Sequence, residues 1–249
     1  MLLAQKAYTE GAMALCFYGA SLLDEQKTSP PEQAKDVALL LDLLTPIIKA
    51  WPSEYGPKAN DLAIQVLGGA GYTREYPVEQ YWRDNRLNPI HEGTNGIQAL
   101  DLLGRKLWQA NGAGCQLLAK RIMQDIKAAQ GAVSLKLAKK LGDALTQFND
   151  GLPVLTQMLQ SEEQEAVLSN ADNMMKYCGH LVIGWMWLRQ ANVAYAARDD
   201  ARGEKYEFYQ GKLQAAHYYA DWEMPAMRQA WALLVEANTT CADTKVSWF

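Results

Sequence analysis

The chain has 249 residues, 49 % of them hydrophobic and 21 % charged, enough for one large domain or two modest ones with a real core. Its net charge of −4 speaks against nucleic acid as a main partner, because phosphate binding needs a surplus of Lys and Arg on one face. No run of about 18 apolar residues is present, so no membrane span is expected. The four cysteines, Cys16, Cys115, Cys178 and Cys241, form no C-x-x-C pair and read as reduced thiols of a cytoplasmic protein.

Helical period dominates from the first residues and strand-like alternation is nearly absent, so the fold class is all-α, built as up-and-down bundles. Leu3, Ala7, Gly11, Ala14, Tyr18 and Leu22 trace one face of a first helix, which the polar, double-proline stretch from Asp24 to Pro31 is expected to end. A second helix runs from about Glu32 to Ile48 with a bend at Pro46. Pro57 is placed as the first residue of a third segment reaching Leu67. Gly68 and Gly69 stop that segment, because glycine takes the left-handed cap without a Cβ penalty. A short helix is expected from Val78 to Leu87. Thr94 then caps a helix from Asn95 to Ala110, and the stretch from Asn111 to Gly114 is the best domain boundary. This divides the chain into 1–112 and 113–249. Four further helices are expected near Cys115–Gln130, Ser134–Phe148, Glu162–Ala197 and Glu204–Val235. In the third of these, Val167, Met174, Tyr177, Leu181, Trp185, Leu188 and Tyr195 recur at three- and four-residue steps.

Three short segments stand out from this helical background. Gln65, Val66, Leu67, Gly68, Gly69, Ala70 and Gly71 end one helix; Arg83 and Asp84 follow; and His91, Glu92, Gly93, Thr94, Asn95, Gly96, Ile97 and Gln98 open another. The last places a lone carboxylate, Glu92, on a glycine-bearing turn just ahead of a helix start. Taken singly, each has a plain structural reading. A Glu there complements the helix dipole, Gly68 to Gly71 is a loop between helices rather than a dinucleotide fingerprint, and Arg83 with Asp84 is a surface ion pair. His91, His180 and His217 have no second ligand at helical spacing, so no metal site is expected. Tyr177, Trp185, Trp187, Tyr218, Tyr219 and Trp231 read as core, and Trp248 with Phe249 as a frayed tail.

The three segments together, in this order and at this spacing, resemble the C-terminal helical domain of acyl-CoA dehydrogenases, flavoenzymes that remove two hydrogens from Cα and Cβ of an acyl thioester. The resemblance implies that Glu92 is the base for the α-proton and that Gly93 contacts substrate. It implies FAD contacts from Thr94, Asn95 and Gly96, and from Gln65, Val66, Leu67, Gly68 and Gly69 across a dimer interface. Common short-chain and medium-chain members carry a glutamine where this chain has Gly96, so that contact is expected to be backbone only. The stretch from Ile90 to Lys106 resembles the longer branch that includes 3-methylmercaptopropionyl-CoA dehydrogenases, which carry an extra C-terminal helical domain. Residues 113–249 fit its place.

The resemblance further implies FAD as cofactor, acyl-CoA as substrate, an electron-transferring flavoprotein as acceptor, and a homodimer or tetramer. Residues 1–112 match that domain without its first helix. The sequence therefore reads as the C-terminal portion of such an enzyme, and the chain alone is expected to be inactive. Two other readings stay open: a helical oligomerisation or interaction module without chemistry, and an acyl-CoA oxidase with the same first half-reaction.

Overall fold

The computed structural model describes residues 1–249, and its regular elements are all helical. Helix α1 (Leu2–Thr28) and helix α2 (Pro31–Leu67) form a long hairpin. Two short helices follow, α3 (Gly69–Tyr72) and α4 (Val78–Asn85), and then α5 (Asn95–Gly104). Tight turns from Lys106 to Gly112 reverse the chain at Ala110 and Asn111, whose φ values are +48° and +57°. Helices α6 (Ala113–Lys127), α7 (Gly131–Leu159), α8 (Gln164–Leu168) and α9 (Ala171–Arg198) come next. The last long elements are α10 (Glu204–Tyr218), a widened π turn over Tyr219–Glu223, and α11 (Ala226–Val235).

Several boundaries differ from the sequence expectation. Helix α1 continues to Thr28, so the expected Asp24–Pro31 loop shrinks to the Ser29–Pro30 junction. Pro46, Pro52 and Pro57 all lie inside α2, which neither ends nor restarts at them. Each proline removes one ladder bond, at a cost on the order of 3 kcal/mol in an exposed helix. Tertiary burial outweighs that here, since Leu43, Leu44, Ile47, Ala50, Trp51 and Tyr55 on the same helix are all buried. The expected helix from Asn95 to Ala110 stops at Gly104, and the expected Glu162–Ala197 helix is two, parted at Ser169 and Asn170. Asn170 explains that break. Its side-chain amide donates to the carbonyls of Ala166 and of Asn238, tying the junction to the C-terminal segment.

Helix α9 is the axis of the molecule. Every residue from Tyr177 to Leu188 is buried, so this helix is apolar all round rather than along one stripe. It packs against α1, α2, α5, α6, α7, α10 and α11. One hydrophobic core runs without interruption from Ala7 to Leu234, and the chain reversal at Ala110 does not divide it into separate cores.

The seam between the first and second halves is aromatic. Trp51 stacks on Tyr55 with ring centroids 4.1 Å apart, and both lie edge-on to His180 of α9. The His180 imidazole sits between two hydroxyls, Tyr55 Oη at 2.7 Å and Tyr219 Oη at 2.8 Å. A neutral ring has one donor and one acceptor nitrogen and so can satisfy both. Gly179 lets the Trp51 ring close on α9, for a Cβ there would lie 2.5 Å from Trp51 Cδ1.

Two predictions test this seam. Gly179→Ala will destabilise the chain by about 1–2 kcal/mol, the overpacking strain exceeding the helix-propensity gain of alanine. Denaturant unfolding followed by tryptophan fluorescence and by circular dichroism should show one shifted transition; two separated transitions would contradict a continuous core. The second concerns pH. Burial, with Lys176 and Lys58 nearby, drives the His180 pKa down from 6.5 to about 3. The unfolded chain takes up a proton below about pH 6.5 that the folded chain refuses, so this contribution is complete above that pH and is lost progressively toward pH 3. Between pH 7 and pH 5 the loss is about 2 kcal/mol by linkage. Urea titrations at both pH values should show that His180→Gln removes this part of the pH dependence.

Candidate active site

The turn carrying Glu92 is built from the residues around it. Asn95 N–H donates to the Pro89 carbonyl at 3.0 Å, closing the loop, and Thr94 Oγ1 accepts from Ile97 N–H at 3.4 Å as the N-cap of α5. Glu92 and Gly93 inside the loop both take left-handed backbone, at φ +56° and +76°. That is natural for glycine and costs an L-residue about 1–2 kcal/mol. Gln98 Nε2 donates to the Glu92 carbonyl at 3.1 Å and steadies the strained peptide. A Cβ on Gly93 would lie 2.9 Å from Gln98 Nε2, so a side chain there would displace the Gln98 amide. The result is an exposed carboxylate beside three consecutive backbone N–H groups, of Glu92, Gly93 and Thr94, that have no partner within the chain.

Asn95 and Gly96 are half-buried, and Asn95 turns its side chain away from the turn toward α2. Its Oδ1 accepts from Ser53 Oγ at 2.9 Å and Lys49 Nζ at 3.0 Å, and its Nδ2 faces the Ala50 carbonyl at 3.4 Å. Partial burial lowers the pKa of the Lys49 ammonium, which this oxygen helps to solvate. Gly96 and Asn95 border a cavity of about 380 Å³ whose other walls include Trp51, Lys58, Asp172 and Lys176.

Gln65, Val66, Leu67, Gly68 and Gly69 are also exposed, at the far end of α2. Gly68 takes φ +61°, and a Cβ on either glycine would meet nothing within 4 Å. Gln65 stands twelve residues beyond Ser53 on α2, roughly 18 Å along the axis at 1.5 Å per residue. One chain therefore does not bring its two glycine-bearing segments together. Large apolar side chains lie bare beside each: Val66, Leu67 and Tyr72 at one, Ile90, Ile97 and Leu100 at the other. Arg83 pairs with Glu79 at 3.0 Å, one helical turn back on α4, and not with Asp84 as the sequence reading had it. Gln98, Ser53 and Lys49 were missed as supporting residues. The only signal for Ser53 was a hydroxyl on the apolar face of a helix.

Comparisons with known proteins agree with this architecture. Residues 1–107 match the family "Acyl-CoA dehydrogenase, C-terminal domain", and residues 118–245 match "Acetyl-CoA dehydrogenase C-terminal like". The chain belongs to the acyl-CoA dehydrogenase family. It is 33 % identical over 235 residues to the broad-specificity linear acyl-CoA dehydrogenase FadE5 of Mycobacterium tuberculosis, covering 91 % of this chain and 38 % of that protein. It is 32 % identical over 226 residues to 3-methylmercaptopropionyl-CoA dehydrogenase of Ruegeria pomeroyi, covering 88 % of this chain and 37 % of that one. Likeness to the rat mitochondrial short-chain specific acyl-CoA dehydrogenase spans only 98 residues, 39 % of this chain. Among solved structures, Caenorhabditis elegans ACDH-11 in complex with C11-CoA shares the fold with a TM-score of 0.75 at 21 % identity, over 97 % of this chain and 39 % of that one. The chain thus spans about two fifths of the length of FadE5, 3-methylmercaptopropionyl-CoA dehydrogenase and ACDH-11, and its match to the rat enzyme, 37 % identical, covers 21 % of that protein.

The geometry of the turn gives a direct test. Gly93→Ala places a methyl group on left-handed backbone against Gln98 and will cost about 1–2 kcal/mol. Hydrogen exchange of the Ile90–Gln98 segment should accelerate before the rest of the molecule is affected; unchanged exchange would contradict the turn as described.

Proposed function

We propose that the protein carrying this chain is an FAD-dependent acyl-CoA dehydrogenase, that it desaturates the Cα–Cβ bond of an acyl-CoA thioester, and that Glu92 is the base for the α-proton. The observation that carries this reading is Glu92 itself, a carboxylate held in left-handed backbone on an exposed, hydrogen-bonded turn. Strain of that kind persists only where surrounding structure over-determines it, and it concentrates at functional sites. The family membership supplies the reaction class, and FadE5 and 3-methylmercaptopropionyl-CoA dehydrogenase are named for that chemistry.

The α-carbon of a thioester is a weak acid, so abstraction needs a positioned base and donors for the carbonyl oxygen. Glu92 Oε accepts the proton. Gly93, lacking a side chain, lets the thioester approach the backbone, and the unpartnered N–H groups of the turn are the donors this chain offers to the developing oxyanion. An enclosing ligand removes water from the carboxylate, which strengthens a base of this type. FAD fits the surfaces present: Gly68 and Gly69 leave backbone open at one segment, Gly96 at the other, and bare apolar side chains flank both. Gln65 to Gly69 and Thr94 to Gly96 are the residues proposed to hold it, Asn95 through its backbone because its side chain is engaged by α2. Bound there, the flavin supplies the acceptor for the hydrogen that leaves Cβ.

The position of Gln65 roughly 18 Å along α2 from Ser53, the residue that holds Asn95, supports a dimer or tetramer in which Gln65 to Gly69 of one copy serves the cofactor of another. An electron-transferring flavoprotein is the proposed electron acceptor. No helix is long and apolar enough to cross a membrane.

Glu92→Gln keeps the shape of the side chain and removes its basicity. In the flavin-loaded full-length protein, anaerobic stopped-flow reduction by acyl-CoA should fall by about 10²–10⁴, while the substrate-induced change in the flavin spectrum persists. Glu92→Asp should retain part of the rate, because a carboxylate withdrawn by one methylene reaches the α-carbon poorly. Bleaching of Glu92→Gln at the wild-type rate would assign the base to another carboxylate.

A further inference from the structure

The turn that carries Glu92 is tied by side-chain hydrogen bonds to α2, two elements away in sequence. Asn95 is the link. Its backbone N–H closes the loop onto Pro89, and its side-chain oxygen is gripped by Ser53 Oγ and Lys49 Nζ. Its side-chain amide faces the Ala50 carbonyl at 3.4 Å and Glu54 Oε2 at 3.5 Å. Ser53 is a buried polar residue, 6 % exposed, on the inner face of a helix. Its single proton has two acceptors in reach, Asn95 Oδ1 at 2.9 Å and the Ala50 carbonyl at 3.0 Å. With Asn95 Nδ2 also directed at Ala50, the hydroxyl proton is free to serve Asn95, which makes a closed ring of three groups. A hydroxyl with no role would leave that position to alanine, the better helix former.

We propose that Ser53 and Asn95 are positioning residues that hold the Glu92 turn in register with α2, so that the carboxylate is aimed before substrate arrives. This rests on the reading of Glu92 as the base. The two consecutive left-handed residues are held on one side by His91, whose N–H donates to the Leu87 carbonyl at 3.3 Å, and on the other by the Asn95 clamp and the Gln98 hydrogen bond; of these the Asn95 clamp alone reaches α2. Loss of the clamp lets the loop relax to ordinary backbone and swings the Cα–Cβ vector of Glu92 away. Misplacement of a reacting group by about 1 Å costs on the order of 10²-fold in rate.

The test uses the flavin-loaded full-length protein with Ser53→Ala, Ser53→Thr and Asn95→Ala, beside Glu92→Gln. Ser53→Ala and Asn95→Ala should lower flavin reduction at saturating acyl-CoA roughly 10- to 100-fold, with flavin content and acyl-CoA Kd changed less than about twofold. Ser53→Thr should restore most of the rate, because its Oγ1 keeps a hydroxyl proton that can be donated to Asn95 Oδ1. Hydrogen exchange, which does not depend on turnover, should show faster exchange confined to the Pro89–Asn95 loop in both Ala variants. Should the buried Ser53 site tolerate no alanine, the half-exposed Asn95 carries the test alone. Wild-type rates in Ser53→Ala and Asn95→Ala, with Glu92→Gln inactive, would refute the clamp and leave Glu92 as base. Loss of flavin and weakened binding in proportion to the rate would also refute it, by showing a general structural role. Wild-type reduction by Glu92→Gln would overturn the assignment of the base, and the clamp proposal with it.

Discussion

A helix buried on every face has to satisfy each of its polar side chains from a neighbour, and that requirement organises this molecule. Along the buried stretch of α9 from Tyr177 to Leu188 the partners come from five different elements. Tyr177 Oη donates to the Ala144 carbonyl of α7, and His180 bridges Tyr55 of α2 and Tyr219 of the π turn. Trp185 Nε1 donates to Asp125 of α6, and Trp187 Nε1 donates to the Ala7 carbonyl of α1. Each bond left unmade would cost about 1–3 kcal/mol, so the set works as a registry for the elements around α9. Apolar packing alone tolerates sliding. Five directional bonds to five elements do not.

That registry reaches the candidate site through α2. Tyr55 is bonded to His180 and Trp51 is seated over Gly179, so the middle of α2 is fixed both along and around its axis. Lys49 and Ser53 lie on the same stretch, and they grip Asn95 at the start of α5. Lys106, itself buried, pairs with Asp42 about two to three turns earlier on α2, which secures the far end of the α5 segment to the same helix. The three prolines of α2 belong to this picture. They weaken its internal ladder, and the helix stays whole because both neighbours hold it.

Most of the helices were legible in the sequence because periodicity survives wherever one face is wet. Of the α1 stripe, Ala7, Gly11, Tyr18 and Leu22 are buried as read, and Leu3 and Ala14 are half-buried. Legibility failed where tertiary contacts outweigh local preference. Pro46 and Pro57 read as a bend and a start, yet they sit inside one helix, and nothing local to the chain shows that burial will carry it past them. For α9 the periodic residues Met174, Tyr177, Leu181, Trp185 and Leu188 marked a stripe, whereas Val182, Ile183, Met186 and Trp187 between them are buried too. A periodic signal understates a helix that is enclosed on all sides. At the candidate site, Glu92, Gly93 and the Thr94 cap could be read from local residue types. Ser53, Lys49 and Gln98 could not, because their parts are defined by partners up to 46 residues away.

The turn and the core are held by different forces, and the difference follows from what each must face. Burial stabilises an element only by taking it out of contact with solvent and ligands. The loop from Pro89 to Asn95 is exposed from Ile90 to Thr94, so it is not fixed by packing. What remains are hydrogen bonds from its backbone and from the first residues of α5. Each contributes only about 0.5–1.5 kcal/mol, but each is directional. Their sum is comparable to the strain in the left-handed Glu92 and Gly93 pair, so the turn is held in place with little to spare. A loop in that condition depends on the rigidity of whatever anchors it. Here the anchor is α2, and α2 is rigid because α9 leaves it no alternative register.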